Sequence, residues 1–519
     1  MPSNPQRSAY LIVAGVAAIF LFRLAWHWLA PIGSLVSQTP DDAYYYFQVA
    51  RHVAAGAGST FDGVNMTNGY HPLWLLVCSA VALAFDPAGI DLSALENQAR
   101  TLLSLQWFVA VGGLVLLLRA IKPLIASNAW VLAVAACALP PVIYGCSDGL
   151  ESGLVLLLVG AVIVSGLRAA PLGPRPVLRE FEWGALLSLA FLARLDLALL
   201  CVSIGVYTTI ALIRRRIDAR TWLRKGLAWG LPVVAVALVY FIINQAMTGE
   251  ATPISGSLKS TFPHPSGNRA HLPHLVMGAG LFVLTALGSR LTQHPGCRQM
   301  LVIGALFQAT HLVYTALFMS WGVHAWHLTG FWPFALLATG VIADRFSERR
   351  RLLTIVAATT LLAGIVGQVA FLKGRSERAF QAQSYQAALW ARQNVAGARL
   401  IGMSDCGVFG YFRGGGVVNL DGLINNRDYQ NHLASQGLAS YLHAQGIGFI
   451  AHHAVPAERI DADSDPYIYT RRAHRALFVK GSPTIELWQR DILYKGPAFA
   501  DGRGVKHFVV WKWSRRPAL

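Results

Sequence analysis

Long apolar segments alternate with short polar loops through the first two thirds of the chain. A membrane-spanning helix needs about 20 consecutive, mostly apolar residues, and eleven segments approach that pattern. They are residues 8–29, 100–121, 128–145, 153–168, 183–194, 196–213, 226–246, 274–290, 299–319, 327–344 and 352–372. Residues 183–213 can alternatively be read as one bent helix. The run 72–85 is too short to cross a bilayer, which predicts an interfacial or re-entrant segment.

The pattern changes at about residue 374, after which no long apolar run occurs. Residues 380–392 and 428–444 have the pattern of helices, and short β-like runs lie around them. Those runs are 400–404, 417–420, 448–451, 476–479, 484–488 and 507–511. Strands that alternate with helices indicate a small α/β domain. The sequence therefore predicts two domains, a membrane domain over 1–373 and an α/β domain over 374–519.

Composition supports this division and identifies the chain as a membrane protein. Hydrophobic residues make up 54% and charged residues only 13%, whereas soluble domains carry about 25% charged residues. The net charge of +17 would suit a nucleic-acid partner, but most basic residues lie in short clusters between apolar runs. That distribution is typical of the positive-inside rule, so we expect no nucleic-acid binding.

The basic clusters also predict an orientation. If the N-terminus is cytoplasmic and the first span is retained as an anchor, every basic cluster follows an even-numbered span. These residues are Lys122, Arg168 to Arg179, Arg214 to Arg216 with Arg224 and Lys225, Arg290 with Arg298, and Arg345 to Arg351. Eleven spans then place the α/β domain outside the cytoplasm. In a bacterium, this corresponds to the periplasmic face of the inner membrane.

The opposite loops carry isolated polar residues, and the adjacent pair Asp41 and Asp42 follows the first span. The segment after this pair has an apolar stripe that predicts a helix lying flat in the interface, with Gln48, Arg51 and His52 on its polar face. Asp41 can cap that helix. Alternatively, a carboxylate at this depth can act as a general base or bind a divalent cation such as Mg²⁺ or Mn²⁺.

Further candidates lie on later outer loops. His71 belongs to the polar motif TNGYHP, and Lys259 lies among serines and glycine, a setting that suits a phosphate contact. Arg194 and Asp196 separate two apolar halves; charges at such depth are typically functional, although these two can also pair with each other.

Two more positions have both a structural and a functional interpretation. Glu151 opens a span, where the helix dipole alone favours an acid. His324 and His327 flank Trp326 at a membrane edge, where an aromatic belt is expected, and the two histidines can bind a phosphate head group. The six cysteines show no metal-binding spacing.

The glycine-rich segment 404–426 is the strongest pattern in the tail. Such turns between strands can hold a phosphate or simply connect strands in a compact domain. No Walker or GxGxxG pattern accompanies them, so nucleotide binding is weakly supported.

In order along the chain, the acidic pair, NGYHPLW (68–74), GLESGL (149–154), ARLD (193–196) and YFRGGGVVNLDGLIN (411–425) resemble the GT-C membrane glycosyltransferases. The likeness covers nearly the whole chain and is greatest to bacterial mannosyl- and arabinofuranosyltransferase-like members. It implies a mainly α, polytopic helical fold with about eleven transmembrane helices, outer interfacial helices and a C-terminal α/β domain.

The resemblance also implies a function. The family takes a sugar from a polyprenyl-phosphate donor, and its first outer acidic residue is the usual base, which falls on Asp41. Asp42 would support that base or bind metal, and Lys259, His324 and His327 would hold the lipid phosphate. We also assign His71, Arg194, Glu151 and Asp196 to substrate binding. The expected acceptor is a hydroxyl of a cell-envelope glycan, a glycolipid or a protein. The tail has no WWDYG-type acceptor motif, which argues against transfer to protein sequons.

The sequence therefore predicts a glycosyltransferase that acts on a lipid-linked sugar at the outer membrane face. The alternatives are a transporter or flippase of lipid-linked sugars, and a non-catalytic membrane protein with an outer binding domain. A transporter would need charged residues along a path to the cytoplasmic face, and the sequence instead groups them on the outer side.

Overall fold

The computed structural model describes residues 5–89, 91–260, 271–378, 380–397, 399–460, 466–471, 482–500 and 504–513. In this part of the chain, eight helical segments are long and apolar enough to cross a membrane. They are Gln6–Leu29, Leu92–Leu124, Leu195–Ile213, Ala219–Thr248, Leu272–Leu291, Pro295–Phe318, Ala325–Asp344 and Arg350–Gly374. Each corresponds to a predicted span, which confirms a polytopic helical membrane protein.

The three other predicted spans lie on shorter helices. The segment 128–145 is broken into Ser127–Ala136 and Pro140–Gly145, because Pro140 has no N–H to continue a helix and fits only the first turn of the next one. The segment 153–168 forms Ser152–Arg168, and 183–194 is the end of Val177–Ala193. Of the eleven predicted spans, eight thus correspond to long helices and three to these shorter elements.

The alternative of one bent helix over 183–213 is wrong. The backbone of Arg194 is extended, with φ −158° and ψ 117°. This break separates the helix that ends at Ala193 from the helix that begins at Ala198. The run 72–85 forms a helix of 11 residues, Pro72–Ala82, which is too short to cross a bilayer, as expected.

The helices of the membrane part are numbered in chain order. They are α1 (Pro5–Leu29), α2 (Ile32–Gln38), α3 (Asp41–Ala54), α4 (Pro72–Ala82), α5 (Leu92–Ile121), α6 (Ser127–Ala136), α7 (Pro140–Gly145), α8 (Ser152–Arg168), α9 (Val177–Ala193), α10 (Ala198–Ile213), α11 (Ala219–Thr248), α12 (Ile254–Lys259), α13 (Leu272–Leu291), α14 (Pro295–Phe318), α15 (Trp332–Asp344) and α16 (Arg350–Arg378). Short 3₁₀ turns cover Lys122–Leu124, Leu195–Leu197 and Ala325–Phe331.

The tail is an α/β unit, as the sequence predicts. Its helices are α17 (Phe380–Asn394), α18 (Gly407–Arg413), α19 (Arg427–Ser435), α20 (Leu438–Ala444) and α21 (Ala457–Ile460). Its strands are β1 (Leu400–Met403), β2 (Val417–Asn419), β3 (Ile447–Pro456), β4 (Tyr467–Thr470), β5 (Thr484–Leu487), β6 (Ile492–Lys495), β7 (Phe499–Ala500) and β8 (Val505–Lys512). The predicted helix 428–444 is two helices, because Gly437, at φ 87°, interrupts it. The predicted strand 476–479 lies outside the described residues.

The main sheet of the tail has the order β2-β1-β3-β8-β6, with β7 paired to β8. Strand β1 is parallel to both β2 and β3, while β8 runs antiparallel to β3 and β6. Strands β4 and β5 form a separate antiparallel pair. The parallel pairing of β1 with β2 and β3 ends on one edge, at Met403, Asn419 and Ala451.

Helix α3 is covered by the tail, and its predicted polar face does not lie in water. Gln48 and Arg51 are fully buried; the Arg51 Nη1 donates to Gln48 Oε1 at 2.7 Å. The rings of Tyr44 and Tyr411 meet at a centroid distance of 5.6 Å. Helix α18 of the tail packs here, so Gln48 and Arg51 face protein and not water. That α3 lies flat in the membrane interface stays a prediction.

The apolar core extends across the contact between α3 and the tail. One cluster of buried residues runs from the membrane helices into the tail and includes Tyr44, Phe47, Val408 and Phe412. A second cluster fills the tail itself, around Leu442 and the strands of the sheet. The predicted domain boundary at 373/374 falls inside α16, which runs unbroken from Arg350 to Arg378. The division into two domains remains a prediction.

Helices α5 and α8 approach closely at Gly113. A Cβ on this residue would lie 2.5 Å from the Leu157 Cα, a backbone atom that cannot move aside. We expect Gly113→Ala to lower the free energy of unfolding by about 1–3 kcal/mol through overpacking. Thermal unfolding of the purified protein, followed by tryptophan fluorescence, measures this.

The neighbouring Gly112 provides a matched control, since a Cβ there meets no atom within 4 Å. Gly112→Ala should leave the unfolding temperature unchanged or raise it, because alanine is the better helix former. Equal destabilisation by both substitutions would contradict the close contact between the two helices.

Candidate functional site

A cavity of about 600 Å³ lies where loops at one end of the membrane helices meet the tail. Seven of the nine residues singled out from the sequence line it: Asp42, His71, Glu151, Arg194, Asp196, Lys259 and His327. They come from six separate loops and helix ends, which the fold brings to one place. Asp41 and His324 belong to the same region but do not line the cavity.

Asp41 is buried behind the cavity wall, at the first position of α3. Its two carboxylate oxygens accept the backbone N–H groups of Gly407 (2.7 Å) and Val408 (2.8 Å), at the start of α18. Asp41 therefore bonds the N-terminus of a helix in the tail, and the expectation that it caps α3 is wrong because Pro40 holds that position. Burial raises the pKa of Asp41 well above its usual value, and the N–H bond from Val408 offsets this in part.

Asp42 has the opposite environment. Its side chain is 32% exposed and faces the cavity, where its Oδ2 lies 3.7 Å from the Lys259 Nζ. Lys259 is the last residue of α12, and its side chain is 23% exposed. The cavity thus offers one accessible carboxylate next to one accessible ammonium group.

Arg194 lies at the centre of a charged network deeper in the cavity. Its Nε donates to Asp196 at 3.0 Å, and its Nη1 lies 3.4 Å from Glu151 Oε1. The Nη1 also donates to the Trp326 carbonyl oxygen at 2.6 Å. Arg194 and Asp196 do pair with each other, but the arginine also contacts Glu151 and Trp326 and so connects three loops.

His71 approaches the same network from the TNGYHP loop. Its Nδ1 accepts the N–H of Leu195 at 3.3 Å, so in the neutral ring the proton lies on Nε2, which faces Glu151 Oε1 at 3.6 Å. Burial lowers the pKa of His71, with a smaller opposing effect from Glu151. In this tautomer the Nε2–H points toward Glu151 at the cavity wall.

Glu151 holds the N-cap position of α8 without bonding the helix N–H groups through its side chain. Its Oε2 instead accepts a hydrogen bond from the Tyr46 hydroxyl at 3.0 Å. That hydroxyl in turn accepts a hydrogen bond from the backbone N–H of His71 at 3.0 Å. The helix dipole favours an acid at this position, but the side chain of Glu151 contacts Tyr46 and Arg194 in the cavity wall.

Sequence reasoning missed several residues of this wall. His311, in the middle of α14, lies with Nε2 3.2 Å from Asp196 Oδ2, and Tyr45, Tyr46 and Tyr314 also line the cavity. The signal for His311 was present, because an ionisable residue inside an apolar span is itself a functional indication. Tyr46 falls on the apolar stripe of the helix that follows the acidic pair, so its position in the sequence gives no such signal.

The rings of His324, Trp326 and His327 pack together in one cluster. The ring centroids of His324 and Trp326 are 4.3 Å apart, those of Trp326 and His327 are 5.8 Å apart, and those of the two histidines are 6.1 Å apart. Only Trp326 and His327 reach the cavity.

The remaining wall of the cavity is apolar. It is formed by side chains of α9, α10 and α11, and by the residue that follows α14. They include Phe191, Leu199, Phe241 and Met319. The same cavity therefore has a charged end and an apolar side that borders the membrane helices.

A metal site was a further expectation, with Asp42 as its ligand. Across the described ranges, no three or more His, Cys, Asp or Glu side chains are grouped so as to hold a metal ion. The residues around Asp42 include the ammonium group of Lys259, which is unfavourable beside a cation. We therefore derive no step that involves a metal.

The comparisons with known proteins bear on the fold. Residues 373–492 match the model of a family described as a domain of unknown function, DUF8728. No curated protein matches the sequence.

The structure is similar to ArnT from Cupriavidus metallidurans, solved bound to undecaprenyl phosphate (TM-score 0.58) and in the apo state (TM-score 0.53). Each match has 13% sequence identity and covers 88% of this chain and 96% of ArnT. Arabinofuranosyltransferase AftD from mycobacteria matches with a TM-score of 0.46 and 15% identity over 98% of this chain and 40% of AftD, and no argument rests on it. The likeness to ArnT confirms the GT-C fold.

The buried bonds of Asp41 predict a structural phenotype. In Asp41→Asn, one of the two side-chain atoms becomes a donor and faces a backbone N–H that has lost its acceptor. We expect the free energy of unfolding to fall by about 1–3 kcal/mol, measured by thermal unfolding together with protease sensitivity of the tail.

Gln substitution of an exposed acid, Glu182→Gln, provides the control; its side chain is 46% exposed on α9. A variant Asp41→Asn with wild-type stability and no activity would contradict the structural role and restore Asp41 as the candidate base.

Proposed function

We propose that this protein is a glycosyltransferase that moves a sugar from a polyprenyl-phosphate donor to a hydroxyl group of an acceptor. The observation that carries the proposal is the pairing of Asp42 with Lys259, at 3.7 Å, in a cavity with one charged end and one apolar side. A donor of this class has a polar head and an isoprenoid chain, and the cavity offers a surface for each.

The fold supports the same class. ArnT, with which the chain shares the GT-C fold over nearly all of ArnT's length, was solved with undecaprenyl phosphate bound. Since a fold hosts many functions, the argument rests on the residues of the cavity, and the fold indicates which lipid to test first.

We assign the role of general base to Asp42 and not to Asp41. A base must lie within hydrogen-bond reach of the proton that it accepts. Asp42 faces the cavity, whereas both oxygens of Asp41 already accept N–H groups from α18. Asp42 would gain the proton of the acceptor hydroxyl as that oxygen attacks.

The proposed step is a single displacement or a related two-step transfer at the anomeric carbon. The bond between the acceptor oxygen and the anomeric carbon forms, and the bond from that carbon to the phosphate oxygen breaks. The electron pair leaves on the lipid phosphate, and the hydroxyl proton moves to Asp42. Whether the configuration is inverted or retained stays open.

Lys259 and the arginine network would receive the leaving phosphate. Positioned positive charge and N–H groups stabilise a developing anion most strongly where water is excluded. Lys259 is accessible, while Arg194 is held between Asp196 and Glu151. Lys259 is thus the candidate for direct phosphate contact, with the Nε2–H of His71 and the ring of His327 nearby in the wall.

We also propose the location of this chemistry. The positive-inside distribution of Lys and Arg supports a bacterial inner membrane protein with a cytoplasmic N-terminus and the cavity and tail in the periplasm. The acceptor is then a glycan, glycolipid or protein of the cell envelope. The convergence of residues from six outer loops and helix ends in one cavity fits this arrangement.

Substitution of the base separates catalysis from stability. Asp42→Asn should reduce sugar transfer by a factor on the order of 10²–10⁴ without lowering the unfolding temperature, because its side chain has no buried partner. Mass spectrometry of envelope glycans in a deletion strain, complemented with each variant, measures the transfer.

Asp41→Asn is the matched comparison, since the residue is adjacent and of the same type. Transfer per folded molecule should be retained there and lost in Asp42→Asn. Full activity of Asp42→Asn would contradict the assignment of Asp42 as the base. Wild-type glycans in the deletion strain would contradict the proposed function.

Removal of the ammonium group tests phosphate binding. Lys259→Ala should weaken undecaprenyl phosphate binding about tenfold through loss of a charge-assisted contact, and Lys259→Arg should restore most of it. Native mass spectrometry in nanodiscs measures the bound lipid.

Lys122→Ala is the control, because Lys122 follows α5 and lies over the Trp130 ring, with no part in the cavity wall. Equal binding by wild type, Lys259→Ala and Lys122→Ala would contradict the proposed phosphate contact.

A further inference from the structure

The tail presents a second group of polar residues, at the carboxyl edge of its parallel strands. Ser404 and Asp405 follow β1, and His452 and His453 continue β3 beyond its last pair with β1. From β1 the chain goes to β2 on one side and later to β3 on the other. Open α/β sheets bind ligands at the carboxyl ends of strands where the connections diverge in this way.

Asp405 occupies this edge in an unusual conformation. Its φ is +47°, in the left-handed region that few residues other than glycine adopt. Its side chain is half exposed, and the Oδ2 lies 4.0 Å from the His453 Nε2. Residues held in such backbone regions are frequently found at binding sites.

The neighbouring Asp421 is less suited to bind a ligand, because both of its carboxylate oxygens already accept hydrogen bonds within the protein. Its Oδ2 accepts the Tyr45 hydroxyl at 3.1 Å and the Asp405 N–H at 2.9 Å, and its Oδ1 accepts the Leu423 N–H at 2.8 Å. Asp421 therefore stabilises the turn, while the carboxylate of Asp405 projects from it.

Other side chains at this edge suit hydroxyl groups and sugar faces. Arg471 donates to the hydroxyl of Ser404, and its guanidinium lies 4.9 Å from the centroid of the Tyr469 ring. The ring of His453 stacks on Phe380 with a centroid distance of 4.4 Å. The group carries one carboxylate, one guanidinium and several aromatic rings, which favours a neutral polyhydroxylated ligand over an anion.

The edge is connected to the cavity. Asp405 and Tyr45, which lines the cavity, both bond Asp421 Oδ2. Two residues after Asp405, Gly407 bonds Asp41, the neighbour of Asp42. Asp405 is thus joined to the cavity wall through the carboxylate of Asp421.

We propose that the carboxyl edge of β1 and β3 binds the acceptor, and that the acceptor group there is a neutral sugar residue held by Asp405 and His453. This rests on the proposed glycosyltransferase function and assigns an acceptor-binding role to the tail. The sugar's free hydroxyl would extend from this edge to Asp42, while the donor occupies the cavity.

The test uses the full-length protein in nanodiscs and saturation-transfer NMR. The probes are the methyl glycosides of glucose, galactose, mannose and arabinofuranose. Wild type should bind at least one of them, and Asp405→Asn should bind it about tenfold more weakly, because a charged hydrogen-bond acceptor is replaced by a neutral one. Asparagine also tolerates the left-handed conformation, so the backbone should be kept.

Two controls make the result specific. Asp428→Asn, an exposed acid at the start of α19, should bind the glycoside like wild type. His453→Gln should weaken binding independently of Asp405. Undecaprenyl phosphate binding should be unchanged in all three variants, since the donor contacts lie in the cavity.

The outcomes separate the two proposals. If wild type binds none of the glycosides, or if both Asp405→Asn and His453→Gln bind as wild type does, the acceptor site is overturned. If wild type binds a glycoside at this edge but fails to bind undecaprenyl phosphate, the acceptor site stands as a sugar site and the proposed donor is wrong.

Discussion

The bond between the Asp41 carboxylate and the first N–H groups of α18 is the contact on which the site depends. A buried carboxylate is costly without partners, and here two backbone donors and the positive end of a helix provide them. The contact fixes the first turn of α3 against the tail. Because successive helix residues differ in direction by about 100°, holding Asp41 against α18 directs Asp42 toward the cavity.

Much of the architecture follows from sequence pattern alone. Apolar length gave the eight long spans, and the loss of apolar runs after residue 374 gave an α/β tail. The distribution of basic residues predicts which loops share a side of the membrane, and seven of the nine polar residues singled out on that side line one cavity. The orientation itself stays a prediction. The spans were predictable because membrane helices are selected by one dominant property, the hydrophobicity of a segment long enough to cross the bilayer.

The rest depends on tertiary contacts that no local pattern carries. Asp41 and Asp42 have the same chemistry and adjacent positions, so only the tail, over 360 residues later in sequence, distinguishes them. The polar face of α3 indicated water, but the true neighbours are Tyr411 and the loop at Pro87, whose carbonyl oxygen accepts from Arg51 at 3.1 Å. His311 stands out in its apolar run, but its partner Asp196 lies between two other helices, and the sequence alone does not pair them.

Gly407 links these observations to how the protein can vary. A Cβ at this position would lie 2.1 Å from the Asp41 carbonyl oxygen, so any side chain there would push α18 away from α3. The start of α3 and the start of α18 must therefore be exchanged together when segments of related proteins are combined. A chimera that replaces the tail with that of a relative must bring a matching first turn of α3, even though the two segments lie at opposite ends of the chain.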